Sequence, residues 1–173
     1  MAGAALLAGS AALHAGAGRV FVGLLDPDAA VVDTSQTELM LRDARSLDLS
    51  GMTVVCGCGG GEAVHELLPR VVTTAAALVL DADALNAIAA DSALQAQLAS
   101  RGKDGLPTVI TPHPLEAARL LGCTAADIQA DRLASARQLA SRFGVVAVLK
   151  GSGTVISDAD GTPPVINLTG NAR

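Results

Sequence analysis

The sequence predicts an α/β fold in three layers, αβα, built on a mostly parallel sheet. Two observations predict it. Short, continuous apolar runs alternate along the chain with stretches of helical periodicity, and strands read this way when helices cover a parallel sheet. Half of the 173 residues are hydrophobic and 17% are charged. Such a composition excludes disorder as the main state, because too much apolar surface requires burial. Only 1% of residues are aromatic (two Phe, no Trp or Tyr), so the core is built from Ala, Val, Leu and Ile. The length predicts a single domain spanning 1–173.

The elements follow in order. Residues 3–16 read as a buried helix of small residues. Arg19 to Leu24 is a short apolar strand closed by Asp26-Pro27. Residues 28–50 are ambiguous, with Thr34, Ser35 and Gln36 suggesting loop. Thr53 to Cys56 reads as a buried strand running into Gly57, Gly59, Gly60 and Gly61, followed by a helix over 61–72. Ala77 to Leu80 is a strand ending at Asp81, and a short helix begins near 84. Thr108 to Ile110 is a strand ending in Thr-Pro-His-Pro (111–114), where the prolines suit a helix's first turn. That helix stops at Gly122, a favourable left-handed terminator. Thr124 with Asp127 resembles a capping box opening a helix over 125–142, whose acids lie early and whose arginines, Arg132, Arg137 and Arg142, lie late. Val145 to Leu149 is a strand, Gly151 to Gly153 turns the chain, and Thr154 to Ser157 returns. Asp160-Gly161 reads as a hairpin turn that pairs Val165-Ile166 back.

Composition also excludes functions. Twelve basic against seventeen acidic residues give a formal charge of −5, which offers no broad attraction for nucleic acid or an anionic membrane. The scarcity of aromatics removes the platforms on which bases stack. Cys56, Cys58 and Cys123 lack zinc-site spacing and read as small packing residues in a reduced compartment. The first 18 residues lack the basic region of a signal peptide and the Leu/Ile content of a spanning helix. A cytoplasmic protein without nucleic-acid or membrane partners is expected.

In parallel sheets, ligands sit beyond the carboxyl ends of the strands, so the chemistry is sought there. Gly57-Cys-Gly-Gly-Gly61 is either a tight turn or a loop whose amides meet an anion. Asp83 is placed to cap the next helix. Asp81, directly at the strand end, could orient a ligand hydroxyl or hold a metal-bound water. Two prolines fix the loop carrying His113, a candidate ligand contact, and Glu116 suits a first helical turn. Lys150-Gly-Ser-Gly-Thr154 is either a phosphate clamp or a turn with an exposed lysine. No Ser-His-Asp or Cys-His arrangement is assembled, so nucleophilic catalysis is not supported.

These motifs fall into a known order. Residues 1–8 (Met-Ala-Gly-Ala-Ala-Leu-Leu-Ala), Gly57-Cys-Gly-Gly-Gly61, Val-Leu-Asp-Ala-Asp-Ala-Leu-Asn (79–86), Thr-Pro-His-Pro-Leu-Glu-Ala-Ala-Arg-Leu-Leu-Gly (111–122), Leu-Lys-Gly-Ser-Gly-Thr (149–154) and Asn-Leu-Thr-Gly-Asn-Ala (167–172) resemble the ADP/ATP-dependent NAD(P)H-hydrate dehydratases of the ribokinase-like superfamily. The resemblance covers essentially the whole chain. It implies repair of hydrated nicotinamide cofactors, with the nucleotide's terminal phosphate passed to the ring hydroxyl and then eliminated. It implies ADP or ATP with Mg2+ as cofactors and NAD(P)H-hydrate as substrate. By motif, Ala4, Gly59 and His113 resemble contacts to the hydrate. Lys150, Gly151, Ser152, Gly153 and Thr154 resemble contacts to the adenine nucleotide.

The chain also departs from the family pattern. The family has a strand and glycine turn ahead of the position matching Met1. Past Ala172 it has a glycine-rich run that supplies an amide anion hole and the aspartate base. An incomplete domain is therefore expected, with no catalytic residue of its own, no metal ligand, and weak or absent activity by itself. The unpaired sheet edge left by the strand favours oligomers. An epimerase, fused or separate, is compatible with the parent gene. The alternatives are a sugar or vitamin kinase of the same superfamily, disfavoured by His113-Pro-Leu-Glu116 where such kinases commonly have Asn-x-x-Glu, and a non-catalytic nucleotide-binding fragment.

Overall fold

The computed structural model describes residues 2–26, 28, 29 and 32–169. Its elements are α1 (Ala2–His14), β1 (Phe21–Leu24), β2 (Met40–Asp43), β3 (Thr53–Cys56), α2 (Val64–Thr74), β4 (Ala77–Leu80), α3 (Asp83–Ala90), α4 (Ser92–Lys103), β5 (Thr108–Ile110), α5 (Pro114–Leu121), α6 (Ala125–Ala130), α7 (Arg132–Phe143), β6 (Val146–Leu149), β7 (Thr154–Ser157) and β8 (Val165–Asn167). Six strands form one sheet in the order β3-β4-β5-β6-β7-β8, while β1 and β2 form a separate pair. The pairs from β3 to β6 are parallel, and β7 and β8 return antiparallel. The result is a mixed α/β protein with a mostly parallel sheet flanked by helices.

The strand order rises steadily from β3 to β6. Right-handed crossovers in one direction place their helices on one face, and α2 packs on α4, α3 on α5 and α4 on α7. Strand residues alternate accordingly. Leu78, Leu80, Ile110, Ala147 and Leu149 are sealed in the core, with Val79, Val109 and Val148 on the other side only half-buried. Phe143, Leu68, Leu85, Ile88, Leu98 and Leu139 complete the core. A cation, Arg101, is buried beside it at 2% exposure. It donates to the Thr108 hydroxyl and the carbonyls of Val72, Ala75, Ala76 and Pro107.

A cavity of about 520 Å³ separates β1 from β3. It is lined by consecutive residues of both strands, Phe21-Val22-Gly23 and Thr53-Val54-Val55-Cys56, and by Ala5, Ala8, Gly9 and Ala12 of α1. Consecutive strand residues point to opposite faces, so a cavity touching all of them lies in the plane of the sheet, against the strand edges. Each of β1 and β3 has a single paired neighbour among the described residues.

Several expectations are corrected. The helix over residues 3–16 is present but not buried, since only Gly9 is sealed; α1 packs on β1 and, through Ala5, Leu6 and Leu13, on the small cluster of Val22, Leu39 and Leu41. The ambiguous 28–50 region holds β2, which Arg42 and Asp43 disguise. The helix expected over 61–72 is Val64–Thr74, because the glycine loop runs longer. Helix α4 was not foreseen. The single helix over 125–142 is two, broken at Asp131 (φ −144°, ψ 85°), whose carboxylate accepts from the Ala134 amide and starts α7 afresh. Arg132 therefore lies at a helix start, not late in a helix. Asp160-Gly161 sits inside a connection spanning 158–164, not in a two-residue turn. Cys123 is exposed and is not a packing residue. Pro27 and residues 170–173, including the end of the Asn-Leu-Thr-Gly-Asn-Ala motif, lie outside the described residues. Among those described, no helix is long and apolar enough to cross a membrane.

Candidate functional site

Parallel pairing in register puts the ends of β3, β4, β5 and β6 at one rim. Cys56 lies beside Leu80, and Leu80 beside Ile110. The ladder continues into the loops. The Asp81 amide donates to the Cys56 carbonyl (3.1 Å), the Thr111 amide to Leu80 (3.0 Å) and the Lys150 amide to Pro112 (2.9 Å). The exits of the four strands are thereby stitched to one another before any side chain acts.

Between Asp81 and Asp83 the backbone is strained. Ala82 has φ 49° and ψ −117°, a region that residues with a Cβ rarely occupy. The consequence is that two nearly adjacent acids reach different neighbours. Asp81 Oδ1 accepts from Lys150 Nζ at 2.7 Å. Asp83 Oδ2 accepts from the Gly61 amide at 2.8 Å, tying down the glycine loop. Asp83 is thus not the cap of α3: it is the helix's first residue, and Ala82 precedes it without a side-chain cap. Gly57, at φ 115°, meets the same segment so closely that a Cβ there would run into the Asp81 carbonyl oxygen. Glycine is required at that position by contact and conformation together.

His113 is the cap of α5. Its Nδ1 accepts from the amides of Leu115 (3.1 Å) and Glu116 (3.4 Å), and the buried Glu116 carboxylate accepts from the His113 amide at 2.8 Å. An Nδ1 that accepts from two amides assigns the ring proton to Nε2, which faces Glu116 Oε1 at 3.4 Å. The half-exposed ring is held in one orientation at the rim. Burial pushes the Cys56 thiol up to about 12. Cys58 is raised as well, first by burial and then by the nearby Asp81 charge. Neither thiol is a thiolate at neutral pH, so neither is poised as a nucleophile.

The rim brings His113, the Gly57–Gly61 loop with Gly59, and Lys150 together with the start of the Gly151-Ser152-Gly153-Thr154 turn. Ala4 is placed less directly: it lies in the first turn of α1, whose Ala5 and Ala8 share the β1–β3 cavity with Gly57, Cys58 and Gly60. Two features escaped sequence reasoning, the Asp81–Lys150 pair and the guanidinium of Arg132 behind the 149–153 loop. Only the terminal position of Asp81 on its strand hinted at the first. Among the described residues no three His, Cys, Asp or Glu side chains gather closely enough to hold a metal ion.

A mixed α/β protein with a polar rim at the ends of parallel strands is the class this geometry defines, and its fold matches a ribokinase-like superfamily protein from Enterococcus faecalis (TM-score 0.68, 20% identity). The family model described as NAD(P)H-hydrate dehydratase matches residues 1–173, and the chain belongs to that family. It is 41% identical over 179 residues to an ADP-dependent (S)-NAD(P)H-hydrate dehydratase of Neisseria meningitidis serogroup B, covering 99% of this chain and 59% of that protein. It is 40% identical to a bifunctional NAD(P)H-hydrate repair enzyme of Escherichia coli K12, covering 90% of this chain and 30% of that one. Among solved structures it matches an ADP/ATP-dependent NAD(P)H-hydrate dehydratase of Bacillus subtilis co-crystallised with ATP/Mg2+ and soaked with CoA. That match has a TM-score of 0.73 and 26% identity, covering 99% of this chain and 62% of that chain. The chain thus spans less than two thirds of the length of these relatives.

Proposed function

We propose that this chain supplies the substrate and nucleotide rim of an ADP-dependent (S)-NAD(P)H-hydrate dehydratase. The observation that carries the reading is the convergence of four strand exits on one rim, with Lys150 paired to Asp81 and stitched through its amide to the His113 loop. In the proposed reaction the ring hydroxyl oxygen attacks the terminal phosphorus of ADP, its proton passes to a base, and the bond to AMP breaks. The ring's C–O bond then breaks, releasing inorganic phosphate while the ring loses a proton and regains its double bond. Phosphate leaves where hydroxide does not.

Ala4, Gly59 and His113 are assigned to the hydrate, and Lys150 to Thr154 to the nucleotide. Mg2+ arrives on nucleotide phosphates and needs only one or two carboxylates. Asp81 and Asp83, at the rim, would supply those carboxylates, and the ion would neutralise phosphate charge. A positioned base and an amide anion hole are also needed. We assign both to the family's glycine-rich run, which the resemblance places after the position of Ala172.

The test is turnover of NADH-hydrate with ADP and Mg2+, followed by recovery of nicotinamide absorbance. The 173-residue polypeptide is expected to be nearly inactive. Grafting on the flanking segments of the Neisseria relative is expected to restore turnover. Full turnover by the short polypeptide overturns the assignment of base and anion hole; none from the extended form overturns the dehydratase reading.

A further inference from the structure

Three arginines of this chain direct their guanidinium groups at runs of backbone carbonyls. Arg70 donates to Ala44, Arg45 and Leu47, fastening the turn after β2. Arg101 fastens the end of α2 to the start of β5. Arg132 donates to the carbonyls of Ser152 (2.6 Å), Leu149 (3.1 Å) and Lys150 (3.3 Å). The first two hold bends of the fold. The third holds the loop assigned above to the nucleotide.

A guanidinium presents five N–H groups in a fixed fork, so it decides which way the loop's peptide planes face. Across a trans peptide the C=O and the following N–H point in opposite directions. With the Lys150 and Ser152 carbonyls turned toward Arg132, the amides of Gly151 and Gly153 are turned away from it. Neither amide meets a backbone acceptor among the described residues. The guanidinium also lies against Gly151, at φ 150°: a Cβ there would stand 2.7 Å from Arg132 Nη2. Local chemistry argues against arginine at this position. It is the first residue of α7, at the end of the helix dipole that disfavours a cation, and its Nε is buried without an acceptor among the described residues. The three carbonyls are what offset both penalties.

We propose that Arg132 is a positioning residue for a phosphate-binding loop: by collecting the carbonyls of residues 149, 150 and 152 behind the loop, it presents the Gly151 and Gly153 amides, beside Lys150, to the phosphates of an adenine nucleotide. The proposal rests on the nucleotide assignment made above. It adds a residue that lies 17 positions before Leu149 in sequence and acts through the loop.

The experiment compares wild type, Arg132→Met and Arg132→Lys in the 173-residue polypeptide, with two readouts. One is ADP affinity by calorimetry. The other, in nucleotide-free protein, is hydrogen exchange at the Lys150 amide, which donates to Pro112, with the β4 amides as the control for global stability. Arg132→Met is expected to weaken ADP about tenfold or more and to speed Lys150 exchange without altering β4. Millimolar methylguanidinium is expected to recover both, and Arg132→Lys to keep part of each. An ADP affinity within about twofold of wild type, or weakened binding with Lys150 exchange unchanged, overturns the proposal. If Arg132→Met also deprotects β4, the lysine variant and the methylguanidinium rescue decide in its place. If wild type binds no ADP, the nucleotide part fails together with the reading it rests on. The exchange readout still decides separately whether Arg132 holds the loop.

Discussion

β3 and β4 lie side by side and are both short, mostly apolar runs, Thr-Val-Val-Cys and Ala-Leu-Val-Leu, yet they occupy different surroundings. β4 has a strand on each side, and Leu78 and Leu80 are sealed at 1% and 0% exposure. β3 has one paired neighbour among the described residues; Val54 and Cys56, in register with Leu78 and Leu80, are only partly buried, and Val55 on the opposite face beside the β1–β3 cavity is 52% exposed. The contrast shows that an apolar run specifies a strand, whereas the number of its neighbours decides how much of it is buried. A stretch suited to the middle of a sheet sits here at an open edge.

The largest effect is expected on the β4 side, at Arg101. Replacing it with methionine keeps the bulk but removes the guanidinium donor from the carbonyls of Val72, Ala75 and Ala76 and from the Thr108 hydroxyl, while the Pro107 carbonyl keeps the Leu78 amide. Unmade buried hydrogen bonds predict a loss of about 3 kcal/mol or more, read from the urea midpoint. A loss below about 1 kcal/mol would mean that desolvating the guanidinium cancels its bonds. The two strands are then compared directly. Leu80→Ala is expected to cost about 2–5 kcal/mol, and Val55→Ser to stay within about 0.5 kcal/mol. Equal costs would show that β3 is enclosed in solution, by another segment or another copy, and the contrast would vanish.

The smallest effect lies at the periphery of the packed side. Asp91 caps α4, accepting from the Ala93 and Leu94 amides. Those bonds, with a smaller contribution from His65, hold its carboxyl below the usual carboxylate value. A depressed folded pKa contributes stability above the unfolded value of about 3.9, and that stability is lost as pH falls through the folded value. Thermal melts of wild type and Asp91→Ala should therefore differ at neutral pH and converge in acid. A gap that persists unchanged in acid would assign the cap's contribution to something other than the ionised carboxylate.

Much of the candidate site was legible for a physical reason: ligands of parallel sheets sit beyond the carboxyl ends of the strands, so the residues at the end of each apolar run point to Gly59, Asp81, His113 and Lys150 as candidates. Ala4 came from the resemblance alone, and the structure places it only through its helix. Missed elements share a cause. β2, Met-Leu-Arg-Asp, pairs parallel with β1, but two charges in four residues hide a strand whose partner lies about twenty positions away. The break at Asp131 sits within an unbroken run of helix formers, and only the capping bond to Ala134 marks it. Arg132 looks like any helix-surface arginine until the loop it holds is brought beside it.

Local chemistry in the sequence determined the parallel strands, the glycine stops, the Thr124–Asp127 capping box and the residue types at the strand exits, because periodicity and backbone preference act over a few neighbouring residues. Tertiary structure alone decided that Lys150 meets Asp81 across 69 positions, that Arg132 reaches back to the loop after β6, and that an apolar strand is left with an open edge. Those outcomes depend on which distant segments close on one another, and no window of adjacent residues carries that information.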